Sequence, residues 1–150
     1  MSLLRKIIVA IVLIVFCIAT YFGYKIVYTV RHIPEAYAAW DTGTLLVEYM
    51  KTHENRWPSS WADLLSVMSN AAGDPIMFRG ARAGDTNYAV SLQKSVAIDW
   101  KFDPTRNEQG SPVTRPNGAK FQVVWQGAEP NEMVRAYLKA SFITNTPSSR

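Results

Sequence analysis

The hydrophobic pattern takes three characters in turn along the chain. Residues 7–24, IIVAIVLIVFCIATYFGY, carry no charge and are apolar on every face. As a helix this run spans about 27 Å at 1.5 Å per residue. Continued to Val30, it exceeds the roughly 30 Å hydrocarbon core of a bilayer. From Glu35 to about His53 the period is helical. Leu45 and Tyr49, and Leu46 and Met50, pair at i, i+4, while Tyr37, Trp40, Thr44 and Val47 follow an adjoining face. Over residues 96–103 the period drops to two. Val96, Ile98, Trp100 and Phe102 take one side, and Asp99, Lys101 and Asp103 the other.

Punctuation supplies the remaining elements. Pro34 fits the first turn of a helix or a kink within one. Residues 54–60 form a turn. Ser60 and Asp63 then resemble a capping box that opens a short helix over 61–69. Residues 74–86 are rich in Gly and Arg and read as an irregular loop. Residues 88–92 alternate like a strand but also suit a short helix through Lys94. A second strand is expected over 120–125, with Phe121, Val123 and Trp125 on one face. Residues 105–118 form the long connection to it. Pro130 starts a final helix to about Ser141, with Val134 and Leu138 inward, and the tail from Thr144 frays. The expected class is α+β: an N-terminal transmembrane helix, an amphipathic helix packed on a small antiparallel sheet, and a C-terminal helix. The expected organisation is a tail and signal-anchor over residues 1–32 and one small globular domain over 33–150.

Charge matters only once it is divided by region. The formal +4 comes entirely from Arg5, Lys6, Lys25 and Arg31, since residues 1–32 hold no acid. The rest of the chain has twelve basic and twelve acidic residues and is formally neutral. A nucleic-acid binder needs its positive charge on the folded domain, to neutralise phosphates. A nucleic-acid partner is therefore not expected, although Arg79 and Arg82 form a local basic pair. The lone cysteine, Cys17, lies in the apolar run, which leaves the globular part without a disulfide, thiolate metal site or cysteine nucleophile.

The apolar run reads as a retained anchor with the lipid bilayer as its partner. Arg5 and Lys6 close one end. Tyr24, Lys25 and Tyr28, with Tyr21, form an interfacial belt at the other, where a lysine stem can snorkel. A soluble core helix does not fit, because every face is apolar. Cleavage after Ala19 at Cys17-Ile18-Ala19 is the competing reading, but apolar residues continue beyond it. Lipidation at Cys17 is disfavoured by Phe16 just before it. Ala19 and Gly23 form a small-xxx-small pair, common in membrane helices. Arg5 and Lys6 before the span nearly tie with Lys25 and Arg31 after it. A short basic N-terminal tail usually stays cytoplasmic, so the domain is expected outside the cytoplasm.

The order of elements, and one local run, resemble the type IV pilins and secretion-system pseudopilins. In these a hydrophobic N-terminal helix runs into an amphipathic helix on a small antiparallel sheet. Many carry a Tyr-…-Gly/Asn-x-Tyr/Trp-Pro-x-Ser-x-x-Asp/Glu-Leu segment. Here Tyr49 is followed by Asn55-Arg56-Trp57-Pro58-Ser59-Ser60-Trp61-Ala62-Asp63-Leu64. The resemblance implies a pilin-like ectodomain. The family's leader motif and the glutamate five residues into its apolar helix are not matched: Gly23 precedes Tyr24-Lys25-Ile26, and the first acid is Glu35. The resemblance is therefore carried to the fold and not to filament membership.

Catalytic chemistry leaves little trace. His53-Glu54 lacks the spacing and the second histidine of a metal site. No serine sits in a nucleophile elbow, and residues 80–84 lack the Lys-Ser/Thr of a phosphate loop. Asp99, Lys101 and Asp103 read as a solvated sheet face. Neither enzyme activity nor a cofactor or metal is expected. Trp57 and Trp61 read either as core residues locking the turn onto the sheet or as an interaction hot spot. The functional expectation is a single-pass, non-enzymatic structural or scaffold protein of the cell envelope, with other membrane or envelope proteins as candidate partners. The alternative is a membrane-tethered binding or accessory module for a protein or small ligand that uses the 74–86 loop.

Overall fold

The computed structural model describes residues 2–69, 78–80, 87–106 and 110–144. In chain order these form α1 (Leu3–Thr52), α2 (Trp61–Ser69), α3 (Tyr88–Ser95), β1 (Ala97–Ile98), β2 (Val113–Thr114) and α4 (Pro130–Thr144). The protein is mostly helical with one small antiparallel sheet, an α+β arrangement at the coarse level. It divides into two compact units, Met1–Ile33 and Pro34–Arg150. Pro34, which has no N–H to donate, lies within α1 at that division.

The first unit is helical, and residues 2–27 are all exposed. In the second unit, α1 supplies the largest part of the core. Leu45, Leu46, Tyr49 and Met50 are buried, as their i, i+4 spacing predicts, and Tyr37, Trp40, Thr44 and Val47 are half-buried beside them. They join Leu64 and Val67 of α2, Tyr88 and Leu92 of α3, Val96 and Ile98, Val113, and Val134 and Leu138 of α4 in one apolar cluster.

Helix ends follow local chemistry. The Asn55 N–H bonds to the Met50 carbonyl at 2.8 Å, and Glu54 is left-handed at φ 56°. This six-to-one bond closes α1 in a Schellman-type turn with a glutamate where glycine is usual. Ser60 Oγ accepts the Asp63 N–H at 3.2 Å, the N-cap contact expected at α2. The Asp63 carboxylate reaches one residue further back than a capping box requires, accepting the Ser59 N–H at 3.0 Å and the Ser59 hydroxyl. At α4, Glu129 is the cap: its Oε2 accepts the Glu132 N–H at 2.7 Å. Gly43 is a contact point rather than a weakness of α1. A Cβ there would meet Met133 Sδ at 2.8 Å and Pro130 Cα at 3.0 Å.

The strands differ most from expectation. The alternation over 96–103 gives the correct facing as far as Trp100, with Val96 and Ile98 buried and Trp100 packed against the core, while Phe102 is half-buried against Trp57. Only Ala97 and Ile98 form a ladder, because Asp99 turns the chain. Its Oδ1 accepts the Lys101 N–H at 3.0 Å and its carbonyl accepts the Phe102 N–H at 3.2 Å. Asp103 makes a similar turn, accepting the Thr105 N–H at 2.9 Å. The partner strand is Val113–Thr114, inside the expected connection, in the register Ala97 to Thr114 and Ile98 to Val113. Asn131 bonds both backbone groups of Val113, at 2.8 and 2.9 Å, and so occupies the place of another strand residue beside β2. Residues 120–125, expected as a strand, are irregular. Residues 88–92, ambiguous in sequence, are helical. Of the 74–86 loop, only Phe78, Arg79 and Gly80 fall among the described residues, and the tail beyond Thr144 and Arg82 fall outside them.

Candidate functional site

The residues expected to anchor the chain lie on the exposed part of α1. Arg5, Lys6, Tyr24 and Lys25 are exposed and Tyr28 is half-buried. Lys25 Nζ lies 5.8 Å from the centroid of the Tyr21 ring, the backward lean usual for long helical side chains. Tyr24, Tyr28 and His32 form a ladder at i, i+4, with centroid distances of 6.1 and 4.3 Å. His32 Nδ1 sits 2.7 Å from the Tyr28 carbonyl oxygen. Lower on α1, His53 repeats the device. It stacks on Tyr49 at 3.9 Å, with Nδ1 3.0 Å from the Tyr49 carbonyl oxygen. Each histidine thus caps a carbonyl and covers a tyrosine four residues earlier. Among the described residues, no three His, Cys, Asp or Glu side chains gather as metal ligands would.

Trp57 and Trp61 are half-buried, both pack on the core, and each engages a different aromatic partner. Trp57 meets Phe102 edge-on at 4.9 Å and donates its indole N–H to the Asp99 carbonyl at 2.9 Å. Trp61 meets Trp100 edge-on at 5.6 Å. The turn is thereby fastened to the segment that follows β1. Trp57 also borders a groove of about 450 Å³, which is lined by Asn55, Phe102, Pro104 and Leu138 and rimmed by Glu54 and Asp103. The rim acids are paired, Glu54 with Arg56 at 2.9 Å and Asp103 with Arg106 at 3.3 Å. The hydroxyl and N–H of Thr105, with Arg106 beside them, hold the Asp103 carboxyl below its ordinary range.

Asp41 had no sequence signal beyond being an acid amid an apolar stretch. It is 2 % exposed. Its carboxylate accepts the backbone N–H groups of Arg79 and Gly80, both at 3.0 Å, and the Tyr88 hydroxyl. Arg79 stacks over Trp40, its guanidinium carbon 3.7 Å from the ring centroid. One carboxylate therefore joins α1, the 78–80 segment and α3. A buried charge with three donors is paired as its burial demands, so this is an organising contact rather than a reactive one.

A further cluster ties residues 113–135 to the start of the second unit. Arg115 Nε lies 2.8 Å from Glu35 Oε1, both side chains largely buried, with the N–H directed off the hydrogen-bond line. Trp125 packs against Tyr37, with ring centroids 5.6 Å apart and planes tilted by 35°. Lys120, Phe121 and Val124 border a cleft of about 210 Å³ with Glu129 and Arg135.

Comparison with known proteins found no match among protein-family models, curated proteins or solved structures.

Proposed function

We propose that the chain is a single-pass membrane protein whose globular unit serves, without catalysis, as a pilin-like structural or scaffold module on the extracytoplasmic side of the envelope. The carrying observation is the run of residues 7–24: uncharged, helical and exposed throughout. The helix is long and apolar enough to cross a membrane. Leaving so many aliphatic and aromatic side chains in water would cost on the order of tens of kcal/mol at about 25 cal/mol per Å². A bilayer removes that cost, and Arg5 and Lys6 at one end with Tyr24, Lys25 and Tyr28 at the other suit its two interfaces. The pilin-like reading is supported by a buried second half of α1, ended by a turn and followed by the Trp57-Pro58-Ser59-Ser60-Trp61 run and a capped helix.

Fractionation with and without protease on intact cells tests both parts. The chain is expected in the membrane fraction after alkaline carbonate, with its globular unit cut by external protease. Release into the soluble fraction would sink the anchor, and protection from protease would reverse the orientation.

The groove beside Trp57 favours a second reading, a membrane-tethered binding module. Cross-linking in membranes separates the two: self-assembly supports a scaffold, and capture of one small ligand or protein through Trp57 supports the module.

A further inference from the structure

We infer that residues 111–123 are a β-hairpin able to zip, and that the Asn131 side chain is the latch that holds it open. The turn of that hairpin is already formed. The Gly118 N–H bonds to the Arg115 carbonyl at 2.8 Å, and the Arg115 N–H to the Ala119 carbonyl at 2.9 Å. Gly118 is left-handed at φ 78°. A three-residue loop, here Pro116-Asn117-Gly118, that closes with these bonds and ends on a left-handed glycine is a common hairpin connection. Proline also favours the second position of such a turn. After the turn, Phe121, Val123 and Trp125 alternate as strand residues do, and their types suit a strand.

Pairing stops at the turn because the next rung is occupied. Backbone groups along a strand point to alternate sides. The Pro112 carbonyl accepts the Asp99 N–H and Thr114 pairs with Ala97, so both face β1. Val113 and Arg115 therefore face the returning chain. Counted from the Arg115–Ala119 pair, the register sets Val113 opposite Phe121 and Ser111 opposite Val123. The N–H and carbonyl of Val113 are both taken by Asn131, at 2.8 and 2.9 Å, while Glu129 Oε1 also accepts from the Asn131 amide at 2.7 Å. A side-chain amide offers the donor and acceptor of a peptide group, so Asn131 stands in for Phe121. The returning chain bends at residues 122–123. Among the described residues, the backbone groups of Phe121, Val123 and Val124 make no hydrogen bond. The gap between the arms is the cleft of about 210 Å³, with Ser111, Val113 and Thr114 on one arm and Lys120, Phe121 and Val124 on the other. Zipping exchanges two Asn131 bonds at Val113 for two from Phe121. The two states are balanced at that rung, and one side chain can tip them. The zipped state closes the cleft and adds a third strand to the sheet. It also gives the strand period of residues 120–125 a physical origin.

Residue-resolved amide hydrogen exchange on the full chain in detergent micelles tests the latch. In the unaltered chain the Val113 amide is expected to be protected, and those of Phe121 and Val123 to exchange freely. Asn131→Ala should keep Val113 protected and slow Phe121 and Val123 by about tenfold or more, the effect of one or two added ladder bonds. Adding Val123→Pro, which cannot donate to the ladder, should return Phe121 to fast exchange. Asn131→Asp keeps an acceptor for the Val113 N–H but loses the donor, and should give a smaller slowing. Should Asn131→Ala unfold the unit, Asn131→Asp decides by the same readout. Loss of protection at Val113 with Phe121 and Val123 unchanged makes Asn131 only a cap on β2 and overturns the inference. Strong protection of Phe121 and Val123 in the unaltered chain overturns it too, since nothing would then be held open. Unfolding of the unit in both Asn131 variants makes the residue a structural one and sinks the latch.

Discussion

Gly43 of α1 lies against Pro130, the first residue of α4, so closely that a Cβ on Gly43 would stand 3.0 Å from the proline Cα. Alanine is the better helix former by about 1 kcal/mol, and an exposed site would gain from the change. Here the neighbour is backbone, which cannot step aside, and Met133 Sδ would be only 2.8 Å away. Gly43→Ala is expected to destabilise the globular unit by about 1–3 kcal/mol through overpacking. Thermal melting of the reconstituted chain decides the sign, and a raised Tm would refute the close packing.

Asp41 provides a second test, since three donors from two other segments depend on it. Asp41→Ala strands the buried Tyr88 hydroxyl and the part-buried N–H groups of Arg79 and Gly80 and should cost about 1–3 kcal/mol, chiefly for the buried group. Tyr88→Phe removes one donor and should cost less. Denaturant titration of both variants and of the double variant is expected to show strong coupling. Additive effects would mean that the two side chains act separately.

Acid stability should depend on Asp63. The hydroxyl and N–H of Ser59 hold its carboxyl below the ordinary value of 3.8. A folded value below the unfolded one gives stability that is present above about pH 4 and lost as the pH falls through the folded value. Ser59→Ala removes the hydroxyl and should flatten the loss of stability between about pH 4 and pH 2. An unchanged acid limb in pH-dependent melting would count against the contact.

Glu54 occupies a left-handed position that closes α1. Among the described residues its side chain pairs with Arg56, both partners being highly exposed, and such pairs contribute little. Glu54→Gly should relieve the left-handed cost and raise stability by up to about 1 kcal/mol, reduced by the greater freedom of glycine in the unfolded chain. Asn55→Gly should instead lose stability, because Asn55 Oδ1 accepts the Tyr137 hydroxyl at 2.6 Å. Opposite shifts in denaturation midpoint are the expected result.

Elements fixed by neighbours in sequence were legible. The apolar run, the paired stripes of α1, the cap at Ser60, the span of α2 and the inward faces of Val134 and Leu138 all follow from periods and caps within a few residues. Strand length was not legible. Val96, Ile98 and Trp100 alternate because all three face the core, and that facing does not require a ladder. Whether residue 99 pairs or turns depended on its carboxylate, which bonds the Lys101 N–H. The partner strand was hidden because Val113 and Thr114 stand between Pro112 and Pro116, where the local signal is for a turn. Residues 120–125 carry a strand-like pattern yet are irregular, with Trp125 against Tyr37 instead.

The sequence by itself determined that this chain has an apolar helix with basic ends and a charge-balanced globular part, because both are sums over adjacent residues. Tertiary structure alone decided that Asp41 is an organising acid, that Gly43 is a contact, that Trp57 and Trp61 take separate partners, and that Trp125 stays exposed. Each of these depends on residues tens of positions apart meeting in space, and no local period records such a meeting.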